Sequence, residues 1–246
     1  MTPLERTRLE KAAADCGFDL TPELVDNCLL LRSTQFPESV SIRVVGDRDF
    51  KLWASAPALI EGDGSPDGSL QLAGYGQLYA VLEKAAATAR TMPDRVAEKF
   101  MLATATLPRS TEAERLIVQR VGQDLFRKAL LDFWQGRCCV TGLAVPELLR
   151  ASHIKPWAVC ATNEERLDVF NGLLLAPHLD ALFDGGWITF SETGEMIVAP
   201  SLDATARDIF ALSDSMKISG LRWEHLPYLA FHRAEVVRFQ VRGVIA

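Results

Sequence analysis

The sequence predicts an α+β protein with two domains, and three observations support this. Runs with helical periodicity and short β-type runs both occur along the 246 residues, a length that suits one large domain or two small ones. A Pro-Arg-Ser break at 108–110 is followed by Thr111-x-x-Glu114, the pattern of a helix-capping box. All four histidines follow that break. We therefore predict a boundary near residue 110, with domains at 1–110 and 111–246.

The composition is that of a globular protein and argues against a membrane protein or a small protein held together by disulfides or zinc. Hydrophobic residues make up 48% of the chain, enough for a core, and no apolar run reaches the length of a membrane span. The N-terminus is charged and lacks the apolar region of a signal peptide, which predicts a cytoplasmic protein without a membrane partner. The five cysteines form no Cys-x-x-Cys pair, so neither a zinc ribbon nor a disulfide framework is indicated.

The first domain is predicted to be mixed α/β. Short β-type runs flank the turn residues at 46–49, which is typical of a hairpin. Thr21-Pro22 resembles a helix start, with a capping residue followed by proline at the first helical position. The predicted elements are helices at 4–15, 21–31, 75–90 and 94–104, strands at 39–45 and 50–55, and a loop at 61–69.

The second domain opens on a long predicted helix and then changes to short β-type runs. Gly136 can end the long helix, and Pro177 can begin a later one. Hairpins are expected around Gly142 and around 191–194. The predicted elements are helices at 112–134, from 177, at 203–212 and at 227–239, strands at 138–141, 148–154, 187–190 and 195–198, a polar loop at 163–168 and an apolar run at 172–175.

The polar residues that could carry chemistry are concentrated between residues 138 and 184. His153 stands just before an Ile-x-Pro, and Asn171 opens an apolar run. A polar cluster follows at helical spacing, made of His178, Asp180 and Asp184. Phosphodiester hydrolysis needs a base for water, a cation for the leaving oxygen and a rigid frame that holds both. This segment can supply all of them.

The charge distribution allows a local contact with DNA. The formal net charge of −6 argues against a non-specific polyanion binder. Between residues 115 and 155, however, seven basic residues outnumber three acidic ones. Arg150 and Lys155 flank His153 in sequence and are the candidates for phosphate contacts. The alternative is that they are ordinary solvated charges.

Four motifs in this order resemble the HNH endonucleases. They read CCVTG, LLRASHIKPW, NEERLDVFNGLLL and HLDALFDGG. Together they are similar to the HNH_2 type over about residues 115–200, with a similar C-terminal tail to about residue 235. The resemblance implies a C-terminal ββα-metal nuclease domain, DNA as the partner, and a divalent metal ion as the cofactor. Mg²⁺ is expected, with Mn²⁺ or Ni²⁺ as alternatives.

The resemblance also implies a role for each site residue. His153 would be the general base that takes a proton from water. Asn171 would hydrogen-bond the backbone across the loop and so orient the His153 strand. Asp180 stands where the family has its metal-binding residue, and a carboxylate there suits Mg²⁺. His178 and Asp184 would either share the ion or serve as hydrogen-bonding or capping residues.

One position departs from the family pattern. Many HNH nucleases carry Asp or His directly before the base, where this chain has Ser152. A serine hydroxyl is a poor metal ligand, so the ion would depend on Asp180, on His178 or Asp184, and on waters. Mg²⁺ normally keeps several waters, so a thin protein shell does not exclude it.

The sequence thus predicts a metal-dependent DNA endonuclease with a role in restriction or defence. The N-terminal domain resembles nothing that we can name, and its position suggests a recognition or sensor domain, for example for a modified base. Two alternatives stay open. One is a nuclease effector that is activated by a small molecule or partner protein sensed by the N-terminal domain. The other is a non-catalytic DNA-binding protein that retains the fold. The sequence also leaves open whether the chain forms a homodimer.

Overall fold

The computed structural model describes residues 1–60, 65, 67–108, 110–213 and 215–237. The chain divides into two compact units, Met1–Thr91 and Met92–Ala246, which we call unit 1 and unit 2. Both helices and strands occur, which confirms the α+β prediction. The division lies before the predicted boundary near residue 110, because the helix at 93–104 packs on elements of unit 2.

The described residues of unit 1 form a five-stranded antiparallel sheet and two helices. Neighbouring strands pair in chain order, so the sheet is a meander. The first helix begins at a capping box formed by Thr2 and Glu5. The elements are α1 (Pro3–Asp15), β1 (Glu23–Val25), β2 (Cys28–Leu31), β3 (Val40–Val44), β4 (Asp49–Ala54), β5 (Leu70–Ala73) and α2 (Gly74–Arg90). α2 packs on α1, β4 and β5.

The helix predicted at 21–31 is wrong, because β1 and β2 form a hairpin there. Its turn is made by Asp26 and Asn27, whose φ angles are 47° and 62°. Asp and Asn tolerate this left-handed region, and two such residues in succession match the twist of a hairpin. The turn chemistry therefore outweighs the helix-start pattern at Thr21-Pro22. The hairpin predicted around residues 46–49 is confirmed by the pairing of β3 with β4.

Unit 2 contains a ββα arrangement packed against a long helix. Its described elements are α3 (Pro93–Thr104), α4 (Glu112–Phe133), β6 (Arg150–His153), α5 (Asn163–Leu167), β7 (Gly172–Leu175), α6 (Pro177–Asp184), β8 (Ile188–Phe190), β9 (Met196–Val198), α7 (Ala204–Ile209) and α8 (Leu226–Phe231). β6 and β7 pair antiparallel, and α6 follows β7 directly. α4 begins at the predicted capping box of Thr111 and Glu114. It packs on β6 and β7.

Three local predictions in unit 2 need correction. Cys138 and Cys139 lie in a buried turn closed by hydrogen bonds from Cys138 N to Leu143 O and from Gly142 N to Cys138 O, both 2.9 Å, so the strand at 138–141 does not form. The loop at 163–168 contains α5, which Thr162 caps. The final helix is short: α8 passes into a π-helical turn at His232–Val236, Val237 is extended, and residues 238 and 239 of the predicted range lie outside the described residues.

α3 is expected to be needed for the stability of unit 2. It packs on α4 and α5, and its Val96 and Phe100 side chains are buried there. We predict that a fragment of residues 92–246 folds, whereas a fragment of 111–246 loses roughly 3–6 kcal/mol of unfolding free energy, since burying each such side chain contributes about 1.5–3 kcal/mol. Urea unfolding of the two fragments measures this difference. Equal midpoints would show that α3 is dispensable and that the boundary belongs near residue 110.

None of the described helices combines the length and apolar character that a membrane span requires.

The buried side chains of unit 2 form a hydrophobic cluster, to which α4 contributes Phe126, Leu130 and Phe133. This cluster packs against β6 and β7 and so fixes the position of the polar residues at the ends of these strands.

Candidate active site

His153 ends β6, and its ring is held in one orientation by a hydrogen bond and by two aromatic neighbours. Its Nε2 lies 2.8 Å from the backbone oxygen of Arg166. A carbonyl oxygen can only accept, so Nε2 carries the proton and donates it. In the neutral ring Nδ1 then keeps its lone pair, and no described residue forms a hydrogen bond with it. The hydrogen bond from Nε2 to Arg166 O therefore fixes the ring, and Nδ1 on the other side of the ring can accept a proton.

Aromatic side chains enclose the His153 ring. Phe126 of α4 stacks on it with ring centroids 3.8 Å apart and an interplanar angle of 16°, and Trp157 meets it edge-on at 5.6 Å. This burial lowers the pKa of His153 from its ordinary value of 6.5, and the hydrogen bond to Arg166 opposes the shift only in part. The ring is therefore neutral at about pH 7, the form in which an imidazole can accept a proton.

Two glycines make the close packing around His153 possible. Gly172 pairs with His153 across β6 and β7, and a Cβ built on it would lie 2.6 Å from Cζ of Phe126. Gly122 of α4 lies against Trp157, and a Cβ there would be 2.5 Å from the indole ring. Real Cβ atoms do not approach so closely, so any larger residue would displace the rings that hold His153.

Asn171 is fully buried and hydrogen-bonds the backbone on both sides of the loop that follows β6. Its Oδ1 accepts from Lys155 N at 2.7 Å, and its Nδ2 donates to Lys155 O at 3.2 Å and to Glu165 O at 3.1 Å. Glu165 precedes the residue whose carbonyl holds His153. Asn171 thus ties the strand end and α5 together, as expected for a residue that orients the base.

Replacing Asn171 should destabilise unit 2 more than an ordinary polar truncation. In Asn171→Ala, buried backbone groups of Lys155 and Glu165 lose their partners, and each unsatisfied group costs about 1–3 kcal/mol. We expect a loss of roughly 2–4 kcal/mol. Denaturant unfolding followed by tryptophan fluorescence measures it, with Gln123→Ala on the exposed side of α4 as the matched amide truncation. Equal destabilisation by both variants would remove the orienting role from Asn171.

Asp180 on α6 lies beside β6. The buried hydroxyl of Ser152 donates a hydrogen bond to Asp180 Oδ1, so the residue before the base faces this carboxylate. Neighbouring residues of a strand point to opposite sides, which explains why Ser152 faces α6 while His153 packs on α4. The Asp180 carboxylate is therefore held next to Ser152 by two rigid elements, a helix and a strand, rather than by a loop.

Asp184 lies one helical turn after Asp180 and shares its side of α6. Although its side chain is exposed, the surrounding protein and the charge of Asp180 raise the pKa of Asp184 to about 6. Two carboxylates that repel each other in this way form a site with a surplus of negative charge. His178 is two residues before Asp180, a rotation of about 200° around the helix, and so lies on the other side.

The oxygen atoms near α6 suit a hard cation, but they provide few protein ligands for it. Two aspartates on one side of α6 offer the carboxylate oxygens that Mg²⁺ prefers, and the Ser152 hydroxyl lies beside Asp180. Among the residues that the structure describes, no group of three or more His, Cys, Asp or Glu side chains is placed to hold a metal ion. An ion at this site would keep several waters, as Mg²⁺ commonly does.

The two predicted phosphate-binding residues have different surroundings. Arg150 is exposed on β6, opposite Leu175 of β7. Lys155 instead forms an ion pair with Glu165, with Nζ and Oε1 2.5 Å apart, and lies over the ring of Phe231 at 5.4 Å. A phosphate would have to compete with Glu165 for Lys155, whereas nothing comparable engages the side chain of Arg150 within the described ranges.

Sequence reasoning missed the residues that hold the base. Phe126 contacts His153 from α4, and the spacing of apolar residues on that helix does not reveal which one does so. The guanidinium of Arg166 donates to Cys160 O at 2.6 Å and to Trp157 O at 3.2 Å, which fixes the loop that carries Trp157. The small residues Gly122 and Gly172 inside regular elements were the available signal that another group approaches closely.

A strand that ends in a histidine, a buried asparagine before the paired strand and a helix with an aspartate in its first turn form a ββα unit. Residues 138–191 match the family model HNH_2, described as HNH endonuclease. The predicted resemblance is confirmed for this segment, and the C-terminal part of the chain contains an HNH endonuclease domain. The match covers less than a quarter of the chain, all of it in unit 2. A search of curated proteins found no match.

Proposed function

We propose that this protein is a metal-dependent endonuclease that hydrolyses DNA phosphodiester bonds with His153 as the general base. The observation that carries the proposal is the fixed His153 ring, whose Nε2 is engaged by Arg166 O while Nδ1 remains available. The ring lies inside the segment that matches the HNH endonucleases. A structural histidine buried for stability would be expected to use both nitrogens, as His232 does with Thr189 and Phe183.

The tautomer of His153, with the proton on Nε2, leaves Nδ1 as the nitrogen that can take a proton. Nδ1 takes a proton from a water molecule, and the hydroxide attacks the phosphorus in line with the leaving 3′ oxygen. The bond between phosphorus and that oxygen breaks, and the 3′ oxygen takes a proton from solvent water. The imidazolium that forms keeps its hydrogen bond to Arg166 O, which stabilises the positive charge. The products carry 5′-phosphate and 3′-hydroxyl ends. Asn171 acts by fixing the loop between His153 and Arg166 and touches no reacting atom.

Asp180 and Asp184, with the Ser152 hydroxyl beside them, would hold the divalent ion. An ion held there would supply positive charge to stabilise the leaving 3′ oxygen. Without an ion, the raised pKa of Asp184, about 6, keeps part of its carboxyl group protonated near and below that pH, so acidification should weaken ion binding. Arg150 is the better placed of the two candidate cations for a phosphate contact, because Lys155 is paired with Glu165.

A restriction or defence role is proposed from architecture alone, with unit 1 as a recognition or sensor domain. One experiment tests activity and recognition together: purified protein incubated with methylated and unmethylated plasmid DNA in Mg²⁺, Mn²⁺, Ni²⁺ or EDTA. We expect cleavage with at least one ion, none in EDTA, and a preference for one methylation state. Equal cleavage of both DNAs would remove the recognition role for methylation, and cleavage in EDTA would contradict the metal dependence.

Ser152→Asp should make the stability of unit 2 strongly dependent on metal. The new carboxylate would face Asp180 in place of a hydroxyl that donates to it, so without an ion the two charges repel and the melting temperature falls. With Mg²⁺ the pair becomes a better site, and we expect about tenfold tighter binding. The added charge also makes His153 more basic, so the pH–rate profile should shift to higher pH.

Ser152→Ala is the matched control for that prediction, since it removes the same hydrogen bond without adding charge. Thermal denaturation with and without Mg²⁺ distinguishes the two variants. If Ser152→Asp responds to Mg²⁺ no more than Ser152→Ala, residue 152 does not face the ion.

A second candidate is a non-catalytic DNA-binding protein that retains the fold. The sparse donor set favours it, because Ser152 stands where relatives have a ligand and the described residues include no group of three metal-binding side chains. It predicts DNA binding without cleavage in every metal ion tested. The metal series described above separates it from the nuclease.

A further inference from the structure

Unit 1 has a cleft lined by cationic and aromatic side chains. It has a volume of about 360 Å³ and is lined by Arg8, Lys11, Arg48, Tyr75 and Tyr79, which we call the N-terminal cleft. These residues come from α1, from the turn between β3 and β4, and from the first turns of α2. A smaller cavity of about 180 Å³ adjoins it and shares Arg8, Arg48 and Tyr75. The volume lies within the range of small-molecule sites.

Two cations in this cleft are available to a ligand. Neither Arg8 nor Arg48 forms an ion pair with any described carboxylate, and Arg8 lies over the ring of Tyr75 at 5.9 Å. Lys11 differs, because its Nζ lies 2.6 Å from Asp15, which also accepts a hydrogen bond from the Tyr79 hydroxyl at 3.0 Å. The N-terminal cleft therefore has two unpaired guanidinium groups next to two phenol rings.

Acidic residues limit the charge that the cleft can accept. Glu5 and Asp47 line the smaller cavity, and Glu5 is already engaged by the backbone N–H of Thr2 at 2.5 Å. A long polyanion passing through both cavities would meet these carboxylates. A ligand with one or two phosphates could contact Arg8 and Arg48 alone, so the charges favour a small phosphorylated group.

The backbone at Arg48, one of the residues that line the cleft, has an unusual conformation. Its φ is 71°, in the left-handed region that few residues other than glycine adopt, and its carbonyl accepts a hydrogen bond from Gly74 N at 2.8 Å. That bond joins the β3–β4 turn to the start of α2, where Tyr75 follows. A strained residue that persists because its surroundings fix it is a reason to look for function at that position.

We propose that the N-terminal cleft binds a nucleoside phosphate. The planar guanidinium groups of Arg8 and Arg48 match the oxygens of a phosphate, with geometry that favours paired hydrogen bonds. The ring of Tyr79 provides an apolar face on which a nucleobase can stack, whereas Tyr75 already lies under Arg8. The ligand is either a free nucleotide or one nucleotide of a DNA strand. The inference does not depend on the nuclease chemistry proposed for unit 2, since binding requires neither cleavage nor metal.

Binding to the full chain in EDTA tests this proposal, because EDTA prevents metal-dependent cleavage of the probe. Calorimetry with 2′-deoxyadenosine 5′-monophosphate measures the free nucleotide, and a short fluorescein-labelled thymidine oligonucleotide measures the DNA strand. The test variant is Arg8→Gln combined with Arg48→Asn, since asparagine tolerates the positive φ. Arg6→Gln is the matched control: it changes the same charge on the same helix, but Arg6 pairs with Glu10 and does not line the cleft.

We expect the double variant to weaken binding by about tenfold or more and Arg6→Gln to leave it unchanged, because two charged phosphate contacts are lost only in the former. If the monophosphate shows this effect, the cleft takes a free nucleotide, and if only the oligonucleotide shows it, the cleft takes a nucleotide of DNA. Either result supports the proposal. It is overturned if both probes bind the double variant like the wild type, if neither binds the wild type, or if inorganic phosphate or a hexaglutamate peptide binds the cleft as tightly as the nucleotide.

Discussion

His153→Ala is expected to lower the rate of DNA cleavage by ~10²–10⁴ while DNA affinity stays near that of the wild type. The reason is that Nδ1 is the atom proposed to take the proton from water, since Nε2 is engaged by Arg166 O. Single-turnover cleavage of a radiolabelled duplex in Mg²⁺ measures the rate, and gel-shift titration in EDTA measures the affinity. Wild-type cleavage by this variant would remove His153 from the mechanism.

The pH dependence of the wild-type rate gives an independent check on the same group. Burial lowers the pKa of His153, so the neutral base predominates at about pH 7 and is lost only as the pH falls through that lowered value. The raised pKa of Asp184, about 6, adds a second loss in the same acidic range. We therefore expect a rate that is level above about pH 7 and falls on acidification. A rate that rises towards pH 5 would contradict both assignments.

Folding must be separated from chemistry in His153→Ala, because the ring is part of the packing. Its removal leaves Phe126 without a stacking partner, and we expect some loss of stability. His153→Gln keeps more of the side-chain volume but cannot act as a base at neutral pH. A far lower cleavage rate in both variants, at temperatures where both remain folded by circular dichroism, identifies the loss as chemical.

Asp180→Asn is expected to have the second largest effect. It keeps the shape of the side chain but removes the charge, so divalent-ion binding should fall strongly and the cleavage rate by about 10²–10³, since a bound ion supplies several kcal/mol of charge stabilisation. Calorimetric titration with Mn²⁺ measures the binding. The hydrogen bond from Ser152 can persist to the amide oxygen, so folding should be little affected.

Asp184→Asn and His178→Ala are the matched comparisons on the same helix. Asp184 shares a side with Asp180, and its loss should weaken Mn²⁺ binding by less, because its side chain is exposed. His178 lies on the other side of α6 and should matter least. If Asp180→Asn binds Mn²⁺ like the wild type while His178→Ala does not, the ligand has been assigned to the wrong residue.

The sequence order of the motifs placed the candidate residues on one ββα unit, because that unit is short and its residues are close in the chain. His153 and Asn171 both lie at ends of the paired strands, and Asp180 lies in the first turn of the following helix. The pairing itself was not predicted. Local patterns suggested that 148–154 would pair with 138–141, whereas β6 pairs with β7, beyond an intervening loop and α5. Such non-local pairing has no period or turn signal in the sequence.

The contacts that orient the base could not be predicted from local sequence patterns either, because they also join residues that are far apart in the chain. Phe126 and Gly172 meet His153 only after α4 packs on the strands, and the ion pair of Lys155 with Glu165 depends on how the loop folds back. In unit 1, the helix-start pattern at Thr21-Pro22 competed with the Asp26-Asn27 turn, and only pairing with a partner strand decided between them. The oligomeric state likewise has no signal in a single chain.

Chemical rescue of His153→Ala tests the central claim most directly. Imidazole added to the variant can occupy the space of the missing ring and accept the proton that Nδ1 would take. We expect the cleavage rate of His153→Ala in Mg²⁺ to rise with imidazole concentration, to follow the fraction of neutral imidazole as the pH changes, and to remain zero in EDTA. The wild-type rate should not respond. A variant that cleaves at the wild-type rate without imidazole, or a wild-type protein that cleaves DNA equally well in EDTA, would contradict a metal-dependent nuclease with His153 as its base.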